Sequence, residues 1–144
     1  MGVAYFNSAQ DEEAEKVTST VANNPQTAAV ANYYLGRIAN NQGNPSEALR
    51  HLKLALEARP DYADAYTELG IIYLKVKDYS QAEQALGKAL KLSPDNYTAN
   101  LNLLMLYQRT KNPKAEEQAK RFGQLKEERA QQQREFFRAV VVNP

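Results

Sequence analysis

Residues 63–96 read ADAYTELGIIYLKVKDYSQAEQALGKALKLSPDN, and the same pattern returns along the chain at a fixed step. Leu69-Gly70 repeats Leu35-Gly36, Leu86 repeats Leu52, Ala89 repeats Ala55, and Pro94-Asp95 repeats Pro60-Asp61. Ala14, Ala48 and Ala82 lie on the same step, as do Tyr5, Ala39, Tyr73 and Tyr107. A fixed period of about 34 residues denotes a stacked array of small, similar units. Each unit can bury its apolar face only against its neighbours, so the array has one continuous core and a large surface suited to binding.

Each period reads as two helices. Residues 29–41 carry Leu35, Ile38 and Ala39 on one side, and residues 45–58 carry Ala48, Leu52, Ala55 and Leu56 as another stripe. Asn40-Asn41-Gln42-Gly43-Asn44 is a turn by composition. Asn44-Pro45-Ser46-Glu47 supplies an N-cap, a proline at the first helical position and a glutamate three residues on. Asp78-Tyr79-Ser80-Gln81 repeats that logic, and Asn112-Pro113 is expected to open a further helix in the same way. Pro60 and Pro94 end the second helix of their units, since proline cannot continue a helix interior. Gly36 and Gly70 lie inside helices, where glycine costs about 0.5–1 kcal/mol relative to alanine. Such a glycine predicts a close helix–helix approach, with Ala48, Ala55, Ala82 and Ala89 on the matching side.

This pattern resembles the tetratricopeptide repeat family. Residues 63–96 fit it throughout, through Tyr66, Leu69, Gly70, Tyr73, Ala82, Leu86, Ala89 and Pro94. Residues 29–62 fit at Leu35, Gly36, Ala48, Leu52, Ala55 and Pro60 but depart at Asn32, where a bulky apolar residue is usual, and at Ala39. The unit from Tyr97 keeps Leu103 and Tyr107 but has Leu104 for glycine, and its turn is one residue short, placing Ala115 opposite Ala82. The resemblance implies an all-α fold, a helix-turn-helix repeat array forming an α-solenoid with a right-handed superhelix. The units fall at 1–28 (a partial N-terminal repeat), 29–62, 63–96 and 97–130 (degenerate, with a long C-terminal helix), followed by a tail at 131–144.

The ends carry their own expectations. Ala14, Val17, Thr18 and Val21 reproduce a second-helix stripe, so residues 1–10 resemble the end of a first helix whose beginning is missing. That suggests a piece of a longer array or larger protein, the alternative being an eroded half-repeat that caps the array. Residues 114–138 read as one long helix with Ala115, Ala119, Phe122 and Leu125 buried. Phe136, Phe137, Val140, Val141 and Val142 then form an apolar tail. It is expected either to fold back on the last repeat or to dock on another chain, giving a homodimer through the C-terminal helix and tail.

Composition excludes several functions. Eighteen basic and seventeen acidic residues leave a net charge of +1, which gives no bulk field toward nucleic acid. The basic residues of 114–138 alternate with glutamates, as on a solvated helix. Cysteine is absent, so there is no disulfide or thiolate metal site. No apolar run approaches the roughly 18 residues needed for a bilayer span. No membrane insertion is therefore expected, and the chain is expected to be soluble, cytoplasmic by default. His51 is the one histidine, on a face expected to look outward, and neither a phosphate loop nor a metal spacing is present. Asp11-Glu12-Glu13 and Glu116-Glu117 suit the first turn of a helix rather than catalysis. The expectation is a non-catalytic module with no cofactor.

In the tetratricopeptide architecture the first helix of each unit lines a concave groove. The resemblance then implies a peptide-binding groove of Tyr33, Arg37 and Asn40 from the first full unit, Asp64, Thr67, Ile71 and Leu74 from the second, and Leu101, Met105 and Gln108 from the third. Some members grip chaperone carboxylates with cations from successive first helices. Here those sites hold Tyr33, Arg37, Glu68, Thr98 and Asn102, and Glu68 would repel a carboxylate. The expected work is protein–protein interaction, as a scaffold or adaptor with a protein or peptide partner. The alternative is an accessory repeat domain of a larger enzyme or secretion assembly whose chemistry lies elsewhere.

Overall fold

The computed structural model describes residues 12, 13, 16 and 27–142. From Ala28 onward there are six helices: α1 (Ala28–Asn41), α2 (Pro45–Ala58), α3 (Ala63–Lys75), α4 (Tyr79–Leu92), α5 (Tyr97–Arg109) and α6 (Ala115–Val142). No strand occurs among the described residues. The helices pair in succession as α1/α2, α3/α4 and α5/α6, and the last helix runs beyond residue 130. The N-terminal half-repeat expected from Tyr5, Ala14, Val17, Thr18 and Val21 lies outside the described residues.

The helix boundaries follow from caps read in the sequence. The Asn44 side chain accepts a hydrogen bond from the Glu47 amide at 3.3 Å, and Asp78 accepts from the Gln81 amide at 3.3 Å. Asn96 does the same for Ala99 at 2.8 Å, opening α5. Each satisfies one of the orphan amides of a first turn.

The turns inside the units repeat as strictly as the helices. Gly43, Lys77 and Lys111 sit one repeat period apart with φ of 74°, 63° and 52°. Around each, the amide of the next residue reaches back to a carbonyl in the preceding helix. The bonds are Asn44 to Ala39 at 2.9 Å, Asp78 to Tyr73 at 2.9 Å, and Asn112 to Tyr107 at 2.8 Å. The left-handed residue itself bonds to Asn40, Leu74 and Gln108 respectively. This is the Schellman ending of a helix, which favours glycine at the left-handed position. Only Gly43 meets that preference. A side chain in the left-handed region costs about 1–2 kcal/mol, so Lys77→Gly should stabilise the protein by roughly 1 kcal/mol. A thermal melt of the variant checks this, with a higher midpoint expected.

Packing rests on glycine against leucine. A β-carbon built on Gly36 would stand 2.8 Å from Leu52 Cγ, and one on Gly70 would stand 2.5 Å from Leu86 Cγ. Both leucines are fully buried. The first core cluster holds Leu52, Ala55, Tyr62, Ala65, Leu69 and Ile72. The second holds Leu74, Leu86, Ala89, Ala99, Leu103, Leu106 and Tyr107. Tyr66 and Tyr73 pack against both clusters and so tie one unit to the next.

The third unit departs from the expected register. Pro113 and Lys114 form a turn rather than the start of the helix, and the Asn112 side chain accepts from the Lys114 amide at 2.9 Å. α6 therefore begins at Ala115, whereas one repeat period from the start of α4 falls at Pro113. Ala119, expected to be buried, is exposed; the inward stripe is Ala115, Gln118, Phe122 and Leu125. Leu104 is buried where the other units have glycine, and α6 packs on α5 less closely than α2 on α1. A polar link bridges them instead: Gln118 Nε2 donates to the Asn100 carbonyl at 2.9 Å and to Asn100 Oδ1 at 3.1 Å. Asn100 Nδ2 in turn donates to the carbonyls of Pro94 and Asn96. The helix does not stop at Arg138; it runs through the expected tail to Val142.

Candidate protein-interaction face

The first helices α1, α3 and α5 share a stripe that stays at least partly open to solvent, with Met105 also packed against the second core cluster. On α3 it contains Asp64, Glu68, Ile71 and Lys75, at helical spacings of four, three and four. One repeat period carries it back to Val30, Tyr34, Arg37 and Asn41 on α1, and forward to Thr98, Asn102, Met105 and Arg109 on α5. Every one of these residues is exposed or half-buried. Val30 is 43% exposed and Tyr34 48%, large values for apolar or aromatic residues.

Cross-links between helices hold this face in place. Arg37 Nε lies 3.7 Å from Glu68 Oε1, joining α1 to α3. Lys75 Nζ donates to Asn40 Oδ1 at 3.4 Å across the same pair. Burial pushes the Glu68 carboxyl up from its ordinary range, opposed by the charges of Arg37 and Lys75. Tyr33 stands behind Tyr34, with an edge-on ring contact at 5.2 Å, and leans on Tyr62 at 5.1 Å. Burial, with Glu68 nearby, pushes its hydroxyl up to about 12. The face thus combines aromatic and aliphatic surface with a half-sheltered carboxylate, and acids gather toward the start of α3 while Lys75 sits at its end.

The expected groove residues separate into two sets. Arg37, Asp64 and Gln108 are exposed, and Tyr33, Asn40, Ile71, Leu101 and Met105 are half-buried. Thr67 and Leu74 are corrections, because both are buried. Thr67 donates its hydroxyl to the Ala63 carbonyl at 3.1 Å, and Leu74 belongs to the core between the second and third units. The cause is angular. A stripe through positions 33, 37 and 40 is rotated by part of a residue from one through 30, 34, 37 and 41. The rotated edge faces the next unit rather than solvent. Val30, Tyr34 and Lys75 belong to the face but not to the expected set. One repeat period back from the exposed Asp64 and the half-buried Glu68 locates the first two.

His51 also differs from expectation. Its side chain is 14% exposed, and its Nδ1 lies 3.0 Å from Asn32 Oδ1. Asn32 Nδ2 donates to the Ala28 carbonyl at 3.0 Å. The polar residue at a position usually apolar is thus matched by a histidine from α2. His51 is a joint between helices, not an outer-face bystander.

The far end of α6 is a second uncovered surface. Phe136 is 71% exposed, Phe137 68%, and Val140 and Val141 57% each. No helix among the described residues is long and apolar enough to cross a membrane.

Comparison with known proteins agrees with this architecture. Residues 26–95 match the tetratricopeptide repeat family. The chain is 36% identical over 67 residues to the BBSome complex member BBS4 of Bos taurus, covering 46% of this chain and 13% of that protein. It is 33% identical over 97 residues to the cell division cycle protein 27 homolog A of Arabidopsis thaliana, covering 65% of this chain and 13% of that one. The chain thus spans a small part of the length of these relatives. Among solved structures it superposes on MamA of Desulfovibrio magneticus RS-1 with a TM-score of 0.68 and 26% identity, covering 91% of this chain and 73% of that one. Residues 26–95, which hold α1 to α4, thus carry tetratricopeptide repeats.

Proposed function

We propose that this chain is a non-catalytic protein-interaction module, a scaffold or adaptor segment, that holds a polypeptide across the face formed by α1, α3 and α5. One observation carries the reading. Val30, Tyr34, Ile71 and Met105 offer apolar surface on three successive helices, around a carboxylate that Arg37 holds in place. A preformed patch of this kind gives side-chain anchors their pockets and excludes water around them. Glu68 and Asp64 favour a partner segment with cations over one with carboxylates. That is opposite in sign to a clamp for acidic tails.

The test is capture of partners from a native lysate, followed by affinity measurement on variants. Tyr34→Ala should weaken binding by about 2 kcal/mol, the scale of an aromatic anchor, and Ile71→Asp by at least as much. Tyr34→Ala should lower the melting temperature little, since its side chain is exposed, and Ile71→Asp somewhat more, since Ile71 is half-buried. Tyr33→Ala is unsuited to this purpose because Tyr33 packs against Tyr62 and the core. Leu54→Ala, on the outer side of α2, serves as the control. Unchanged affinity in both face variants would overturn the reading.

A further inference from the structure

We propose that the end of α6 from one copy of this chain docks on the α1/α3/α5 face of another copy, head to tail. The proposal rests on the reading of that face as a polypeptide-binding surface and names one occupant for it.

The first observation is what α6 does past the array. Arg129 lies over the Tyr97 ring at 4.5 Å, at the beginning of α5. Beyond it, the hydrogen bonds and ion pairs of α6 among the described residues join the helix only to itself: Gln131 with Glu135 and Arg134 with Glu127. The stretch from Ala130 to Val141 extends about 18 Å at the rise of an α-helix. An unbroken helix leaving the array in this way cannot turn back onto its own α1/α3/α5 face. Its exposed phenylalanines and valines call for cover from another molecule.

The second observation is charge. One face of this overhang presents Ala130, Gln133, Arg134, Phe137, Arg138 and Val141 around a shared hollow. These are apolar anchors flanked by Arg138 and by Arg134, the latter paired with Glu127 of the same helix. Two such faces laid together, as in a symmetric pair of α6 helices, would bring Arg138 no carboxylate from these six residues. The α1/α3/α5 face is the complement. Asp64 is exposed and Glu68 half-buried, beside apolar Ile71 and Met105. Phe137 and Val141 would lie over Ile71 and Met105, with Arg138 directed to Asp64 and Glu68. The two surfaces are different parts of the chain, so the contact is heterologous and can propagate from copy to copy. A single helix end is a small interface, below the size typical of stable complexes, so association should depend on concentration.

Sedimentation velocity on the full chain over a concentration series tests this, with two doubly substituted variants on exposed or half-buried surface. One carries Phe137→Asp and Arg138→Glu at the helix end. The other carries Ile71→Asp and Asp64→Arg on the receiving face. The parent should form species larger than a dimer as concentration rises. Each variant alone should stay monomeric at concentrations at least tenfold above the parent's transition. Mixed in equal amounts they should form a dimer that grows no further, because together they hold one intact helix end and one intact face. A parent that is monomeric throughout, a face variant that associates like the parent, or a mixture that stays monomeric would overturn head-to-tail docking. In those cases capture of a different polypeptide by the face, lost on Tyr34→Ala, would leave the broader reading standing.

Discussion

Gly70→Leu is expected to lower the stability of the protein by about 3 kcal/mol, near the top of the usual range for overpacking. A β-carbon at this position would stand 2.5 Å from Leu86 Cγ and 2.6 Å from Cδ2, closer than real contacts permit. Leu86 is fully buried, so it can yield only by displacing packed neighbours. A leucine side chain adds three carbons beyond that first clash. The better helix propensity of the new residue recovers less than about 1 kcal/mol. Denaturant melts measure the effect, and an unchanged midpoint would show that α3 and α4 do not meet at this glycine. Gly87→Ala provides the contrast within the same unit. Nothing lies within 4 Å of an added β-carbon there, so the substitution should stabilise by about 0.5–1 kcal/mol.

Leu86→Ala, the other half of the same contact, is expected to cost about 3–4 kcal/mol. The value combines lost burial with the cavity left beneath a glycine that has no side chain to fill it. The two sites should not be additive. Gly70→Ala on its own forces its β-carbon against Leu86, whereas in a Leu86→Ala background that carbon enters vacated space. The double variant should therefore be more stable than the sum of the single effects predicts by about 1 kcal/mol, within the range of coupled neighbours. Equilibrium unfolding of the three variants supplies the cycle. Strict additivity would mean that the residues do not touch.

Much of the fold is legible because the repeat compares the chain with itself. Leu35-Gly36 and Leu69-Gly70 announce the same contact twice, and the structure places Leu52 and Leu86 against them. Asn44 and Asp78 likewise mark helix starts by side-chain chemistry alone. The third unit is harder to read because its deviations compensate one another in space rather than in sequence. Leu104 replaces glycine, α6 starts late, and Gln118 reaches back to Asn100 in the preceding helix. The left-handed lysines are also hidden, since lysine gives no local sign of a positive φ; only their periodic alignment with Gly43 reveals them.

The candidate face is legible at the level of which helices carry it, and blurred at the level of which side chains. A first helix in such an array has one edge against the following unit and an adjacent edge in solvent. Less than one residue of rotation separates the two stripes. Thr67 and Leu74 fall on the packed edge, while Val30 and Tyr34 fall on the open one. The expected groove set Leu74 on the open edge, although it is apolar and buried, and left out Tyr34, which is aromatic and exposed. His51 is misplaced for a related reason. Its partner Asn32 is a departure from the repeat, and a polar pair that replaces an apolar contact has no periodic signal.

The Asn100–Gln118 link has a consequence for how the chain comes apart. In the first two units, glycine and leucine interlock in the dry interior, and opening them exposes buried apolar surface. The last unit is joined in part by amide hydrogen bonds that water can replace. Local opening should therefore begin at α6 and travel toward α1, with backbone amide protection graded along the sequence rather than lost all at once. A molecule built this way is held most firmly in its first two described units, and the last unit, which carries the long helix, is the one that can be released while the others stay folded.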